Sequence, residues 1–174
     1  MESAKKQSKE SVEQELTSGI RILMEKNRLT ACLDCGKCSA VCPMVRVYGE
    51  YVHNRGTRSI VERLSFDPEG LADETLWYCL ACKECTFFCP SGVDFQNFMM
   101  GFRELMISHG HKEYAHFCSQ CGAYLMPKRQ LEVLKTTMNG TADLLYECPN
   151  CKKNRHGAVL FKLSSKGRSF TLQT

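Results

Sequence analysis

Two copies of one cysteine pattern constrain this chain more than any other feature. Cys32, Cys35, Cys38 and Cys42 precede Pro43, and Cys79, Cys82, Cys85 and Cys89 precede Pro90. Each run reads C-x2-C-x2-C-x3-C-P. Runs of this form hold [4Fe–4S] clusters, and in two-cluster proteins the fourth cysteine serves the other cluster. Three thiolates spaced by two residues can wrap one face of a cubane and leave one iron open. A helix that starts at the proline, where no amide donor is needed, carries the fourth cysteine toward the neighbouring cluster. Cys32, Cys35, Cys38 and Cys89 are therefore assigned to one cluster, and Cys79, Cys82, Cys85 and Cys42 to the other. A disulfide framework would need an oxidising compartment. Zinc sites mostly close with two cysteine pairs rather than runs of four.

A second metal pattern follows. Cys118-x2-Cys121 and Cys148-x2-Cys151 are two knuckles separated by 26 residues, with Gly122 after the first and Pro149 inside the second. Four thiolates in this arrangement suit tetrahedral structural zinc, with a single rubredoxin-like iron as the alternative.

Twelve cysteines in a chain whose polar start has no apolar stretch behind it point to metal in a reducing cytoplasm. No window approaches the ~20 apolar residues of a membrane span. Direct membrane insertion is not expected, and any membrane role would come through a partner. Charge is unevenly distributed: residues 1–110 hold 13 Lys/Arg against 15 Asp/Glu, and residues 111–174 hold 10 against 4. The shift suggests a boundary near Gly110. The expected organisation is a disordered tail over 1–10, a two-cluster domain over 11–110 and a four-cysteine module over 111–174. The basic C-terminal part could face an acidic partner surface or simply solvent.

Val12, Leu16, Ile20 and Leu23 predict a helix from Ser11 to Lys26, which Gly19 weakens by about 1 kcal/mol; its apolar face is expected on the first cluster loop. The 36 residues between the runs, 43–78, look helical. Ser59 and Glu62 have capping-box spacing, Asp67, Pro68 and Gly70 make a turn, and a short helix over Leu71–Trp77 leads to Trp77 and Tyr78, which would shield a cluster. The clearest helix begins at the N-cap Asp94 and ends before Gly110, with Phe95, Phe98, Met99, Phe102, Leu105 and Met106 as an apolar stripe. His109, His111 and His116 have no ligand spacing. In the last module a helix over Pro127–Met138, ended by Asn139-Gly140, and strands over 141–147, 158–163 and 168–173 are expected.

Several chemistries are excluded by pattern. There is no C-x3-C-x2-C triplet, no C-x2-C-H haem site, no dinucleotide glycine fingerprint, no P-loop and no Cys-Cys-Gly stretch. No triad or carboxylate pair suggests itself, so no catalytic residue is assigned. Every cluster iron has a cysteine candidate, which weighs against an exposed catalytic iron. Lys152, Lys153, Arg155, Lys162, Lys166 and Arg168 could meet phosphates, but Tyr124, Tyr146, Phe161 and Phe170 do not form a stacking platform.

Residues 30–110 resemble the C subunit of heterodisulfide reductase and related small iron–sulfur subunits. The stretches that carry the resemblance are Cys32-Leu-Asp-Cys-Gly-Lys-Cys, Leu76-Trp-Tyr-Cys-Leu-Ala-Cys-Lys-Glu-Cys, Cys89-Pro-Ser-Gly-Val and Phe102-Arg-Glu-Leu. The long insert is similar to the C-terminal half of the iron–sulfur subunit of succinate dehydrogenase. The resemblance implies an α-helical ferredoxin domain with two [4Fe–4S] clusters and membership in a larger complex. The module at 111–174 departs from the usual compact C subunit, so a mainly α chain that ends in a small β-rich zinc-ribbon-like module is expected, within a cytoplasmic, anaerobic-type oxidoreductase complex. In it this chain would relay single electrons between a flavin- or hydrogenase-type donor and a catalytic subunit. The alternative is an Fe–S redox sensor that binds nucleic acid through the basic ribbon.

Overall fold

The computed structural model describes residues 2–50, 52–67, 74–138 and 142–166. Helix predominates, as the sequence predicts, and the described residues contain one two-stranded antiparallel sheet.

Helix α1 (Glu2–Lys26) starts nine residues before the predicted Ser11. The segment before Ser11 lacks Gly and Pro, so nothing breaks the helix there. Its inner face carries Ile20 and Met24, both buried, whereas Val12 is exposed. That face lies along α6 (Phe95–Ser108). Two glycines make the close approach possible. A Cβ on Gly19 would meet Leu105 Cδ2 at 2.9 Å, and one on Gly101 would meet Leu23 Cδ2 at 2.8 Å. Each glycine receives a leucine from the facing helix.

Helix α6 is as predicted: Asp94 caps it by accepting from the Asn97 amide at 3.3 Å, and Gly110 follows its end at φ 92°. Its stripe is core. Phe95, Phe98, Met99, Phe102 and Met106 are at most 1% exposed. They pack with Leu29, Ile60, Leu64, Leu76 and Trp77 in one hydrophobic cluster.

The cysteine runs end in the short helices α2 (Lys37–Val41) and α5 (Glu84–Phe87), which pack on each other. Pro43 leads directly into α3 (Met44–Tyr48) as predicted. Pro90 does not start a helix. The chain turns through Gly92, at φ 65°, and Asp94 donates its amide to Asn27 O at 3.0 Å before α6 begins.

In the insert, α4 (Thr57–Phe66) has Gly56 as its N-cap. Ser59 is a helical residue paired with His53 Nδ1 at 3.0 Å and makes no capping box. The approach to Cys79 is a 3-10 helix, Glu74–Tyr78; residues 68–73, which include the start of the expected helix and most of the expected turn, lie outside the described residues.

The C-terminal module departs most from expectation. Its strands are β1 (Ala115–Phe117) and β2 (Tyr124–Pro127), a hairpin around the first knuckle. Helix α7 (Lys128–Thr137) follows as predicted. Residues 142–146 form a 3-10 turn, and 158–163 lie within α8 (Pro149–Lys166). Pro149 explains the second difference: proline at a first helical position nucleates a helix, and the chain continues it through a segment that could also have paired as strand. The third predicted strand, 168–173, and the Asn139-Gly140 stop lie outside the described residues.

Candidate metal centres

The two cysteine runs adopt one backbone shape twice. Asp34 and Gly36 in the first run have φ of 52° and 76°; Ala81 and Lys83, at the equivalent places in the second, have 50° and 75°. Ala81 and Lys83 lack glycine's freedom, and a left-handed residue costs roughly 1–2 kcal/mol. The turn aims amides at sulfur. Asp34 donates to Cys32 Sγ and Ala81 to Cys79 Sγ, each at 3.4 Å, and Val93 donates to Cys89 Sγ at 3.4 Å. Such bonds favour thiolate over thiol.

The thiols gather in two cavities. One is lined by Cys32, Cys35, Cys38 and Cys89, with Gly36 and Arg58 beside them. The other is lined by Cys42, Cys79, Cys82 and Cys85, with Arg55 and Gln96. Each cavity thus collects three cysteines of one run and the last cysteine of the other. The donor set, all sulfur, suits iron–sulfur clusters. Burial pushes the Cys38, Cys42 and Cys79 thiols up, and that of Cys85 to about 12. Loading metal there must displace protons.

The charges around the two cavities differ. Beside the first, Arg58 is paired with Asp34, Nη2 to Oδ2 at 2.6 Å. Beside the second, Arg55 lies 3.8 Å over the Tyr78 ring, and the buried Arg103 donates to the carbonyl of Cys79. Gln130 of α7 donates to that carbonyl too, at 2.9 Å. Gln96 fixes the loop by donating to Ala81 O at 2.9 Å. Trp77 and Tyr78 are core residues. Trp77 packs against Tyr114 and Tyr124 of the C-terminal part, with centroids 6.3 Å apart in both cases.

The Sγ atoms of Cys118, Cys121, Cys148 and Cys151 all lie within 4.8 Å of one another. The hairpin presents the first pair, with Gly122 at φ 70° closing the knuckle. The start of α8 presents the second. The Cys148 amide donates to Cys118 Sγ at 3.2 Å, and the Cys151 amide to Cys148 Sγ at 3.4 Å. The Cys121 and Cys148 amides bring the Cys118 thiol down to about 6. Four sulfur atoms this close together could hold one metal ion. His116 is no ligand; its Nε2 lies 3.1 Å from Leu145 O. On α8, Arg155 pairs with Glu147 at 3.2 Å.

The twelve cysteines lie in three places: four line one cavity, four line the other, and the last four lie close together. Sequence reasoning missed Arg55, Arg58, Arg103 and Gln130. Arg103 lies within the Phe-Arg-Glu-Leu stretch, where an arginine on the apolar side of a helix was the available signal.

Residues 28–93 match the 4Fe–4S dicluster domain family. The chain is 36% identical over 88 residues to a protein of Archaeoglobus profundus named as like the C subunit of heterodisulfide reductase, covering 51% of this chain and 44% of that one. It is 34% identical over 91 residues to the iron–sulfur C subunit of the CoB–CoM heterodisulfide reductase of Methanopyrus kandleri, covering 49% and 43%. It is 32% identical over 89 residues to the glycolate oxidase iron–sulfur subunit of Escherichia coli, covering 49% and 22%. The chain spans less than half the length of these curated relatives. No solved structure matches it. No helix among the described residues is long and apolar enough to cross a membrane. Both four-cysteine runs fall inside the region, residues 28–93, that matches the 4Fe–4S dicluster domain, and the same part of the chain is similar to C subunits of heterodisulfide reductase.

Proposed function

We propose that this protein is an electron-transfer subunit of a cytoplasmic, anaerobic-type oxidoreductase complex. One [4Fe–4S] cluster is held by Cys32, Cys35, Cys38 and Cys89, and the other by Cys42, Cys79, Cys82 and Cys85. The observation that carries this is that each cavity is lined by three cysteines of one run and the last cysteine of the other. When bound, each cluster supplies one-electron chemistry. The chain's own residues hold the clusters, exclude water from one side and leave the other open: Cys32, Cys35 and Cys82 are exposed, the aromatic core closed. The relatives named as heterodisulfide reductase and glycolate oxidase subunits support a place in a larger complex. The donor would be of flavin or hydrogenase type and the acceptor a catalytic subunit. The C-terminal cysteines hold structural zinc, and their module starts near Gly110.

The test is anoxic purification with native partners followed by metal analysis. About eight iron and one zinc per chain are expected for two such clusters and one tetrathiolate site. About nine iron and no zinc would replace the zinc by a single iron. Iron-free protein, or a chain isolated without partners, would count against the electron-relay assignment.

A further inference from the structure

Arg103 is 3% exposed, on the face of α6 that meets the approach to the second cysteine run. One guanidinium nitrogen donates to the carbonyls of Cys79 and Leu76. Nε is buried with no hydrogen-bond partner. The face of Trp77 is 5.8 Å away. Among the described residues no carboxylate pairs with it; the acidic partners serve Arg55, Arg58, Arg129 and Arg155. The nearby phenols do not supply the missing charge: burial holds Tyr48 and Tyr124 protonated above their usual range.

A cation taken out of water without a counter-ion costs several kcal/mol, and buried charges are as a rule paired. Among the described residues, the anionic chemistry that the fold brings to Arg103 is the thiolate set headed by Cys79, whose main chain it already grips. A cluster clamped by four thiolates is net negative, and its potential responds to net charge, hydrogen bonds and burial. In one-electron reduction it takes an electron from a chemical reductant and becomes one unit more negative, with no bond made or broken. A fixed cation in a low-dielectric interior stabilises the reduced form more than the oxidised one.

We propose that Arg103 is the buried counter-charge of the cluster held by Cys42, Cys79, Cys82 and Cys85, a positioning residue that raises that cluster's reduction potential. This rests on the assignment of a [4Fe–4S] cluster to that cavity. Gln130 shares the same carbonyl oxygen, so α7 of the C-terminal module reaches the same point without adding charge. Among the described residues the cations that line the first cavity are Arg58, paired with Asp34, and the exposed Lys37, and neither is buried.

The experiment is an EPR-monitored dithionite titration of the anoxically purified full chain, with iron counted in every sample. Loss of a signal in Cys42→Ser identifies the cluster concerned. Arg103→Met should lower the midpoint of that cluster alone by at least tenfold in its equilibrium, about 59 mV for one electron. Arg103→Lys should restore most of the shift. Gln130→Glu, nearly isosteric, brings a carboxylate within reach of the guanidinium and should lower the same midpoint. Unchanged midpoints in a fully loaded Arg103→Met, or an equal shift of both clusters, would overturn the proposal. If Arg103→Met loads poorly, Gln130→Glu decides: an unaltered midpoint there overturns it. Iron-free wild-type protein would instead remove the cluster assignment beneath it.

Discussion

Gln130 donates its side-chain amide to the carbonyl of Cys79, 51 residues earlier in the chain, at 2.9 Å. The contact ties α7 to the first cysteine of the second run. Gln130→Leu should cost about 0.5–1.5 kcal/mol, the usual net worth of one such bond. Chemical denaturation of the loaded protein measures it, and an unchanged midpoint would mean that the bond is not made in solution.

The exchange of the last cysteine between runs makes a paired prediction. Cys42→Ser should remove the same EPR signal as Cys82→Ser, and Cys89→Ser the same signal as Cys35→Ser. The opposite pairing, Cys42 with Cys35, would mean that each run holds its own cluster.

Trp77 is the chain's only tryptophan, and it is 1% exposed. Tyr114, just before the hairpin of the four-cysteine site, and Tyr124, the first residue of β2, pack against it. Stripping that site with a thiol-directed mercurial, or replacing Cys148 by Ser, should loosen the hairpin and shift Trp77 emission to longer wavelength. Emission that stays put would show that the metal does not hold the hairpin in place.

Tyr48 donates to Tyr78 O at 2.9 Å. Burial, followed by the charge of Cys79, raises its phenol from 10.0 to about 12. A group raised in the folded state contributes stability that is whole below its unfolded value and is lost as pH rises through its folded one. Stability should therefore fall between pH 10.0 and about 12. Tyr48→Phe should flatten that limb and lower stability at neutral pH by about 1 kcal/mol, read from melting curves across the range.

At Gly101 a Cβ would press only on the mobile end of Leu23. Gly101→Ala should be close to neutral, because helix propensity gains about 1 kcal/mol against the crowding. Gly101→Val adds bulk that the leucine cannot evade and should cost about 1–3 kcal/mol. Denaturant titration separates the two.

What could be read from the sequence follows how local each determinant is. Grouping of the cysteines was read from short spacings within each run. Helix α6 was legible because its cap, stripe and terminal glycine agree. The strand expected over 158–163 was not, because Pro149 starts a helix that runs through those residues, and they carry no signal strong enough to reveal that. Ser59 offered a capping pattern, but Gly56 and the bond to His53 set the start of α4 instead. Arg103 and Gln130 stayed hidden because they act on a carbonyl far away in the chain, and a main-chain acceptor leaves no mark in side-chain spacing.

Ala115, at the start of the hairpin, belongs to the same buried cluster as Phe98 and Phe102 of α6. The change of charge near Gly110 thus divides the composition without dividing the interior. A chain truncated after Gly110 would be left with an open seam where the hairpin had sat, and the trimmed product should clump rather than yield a smaller working carrier.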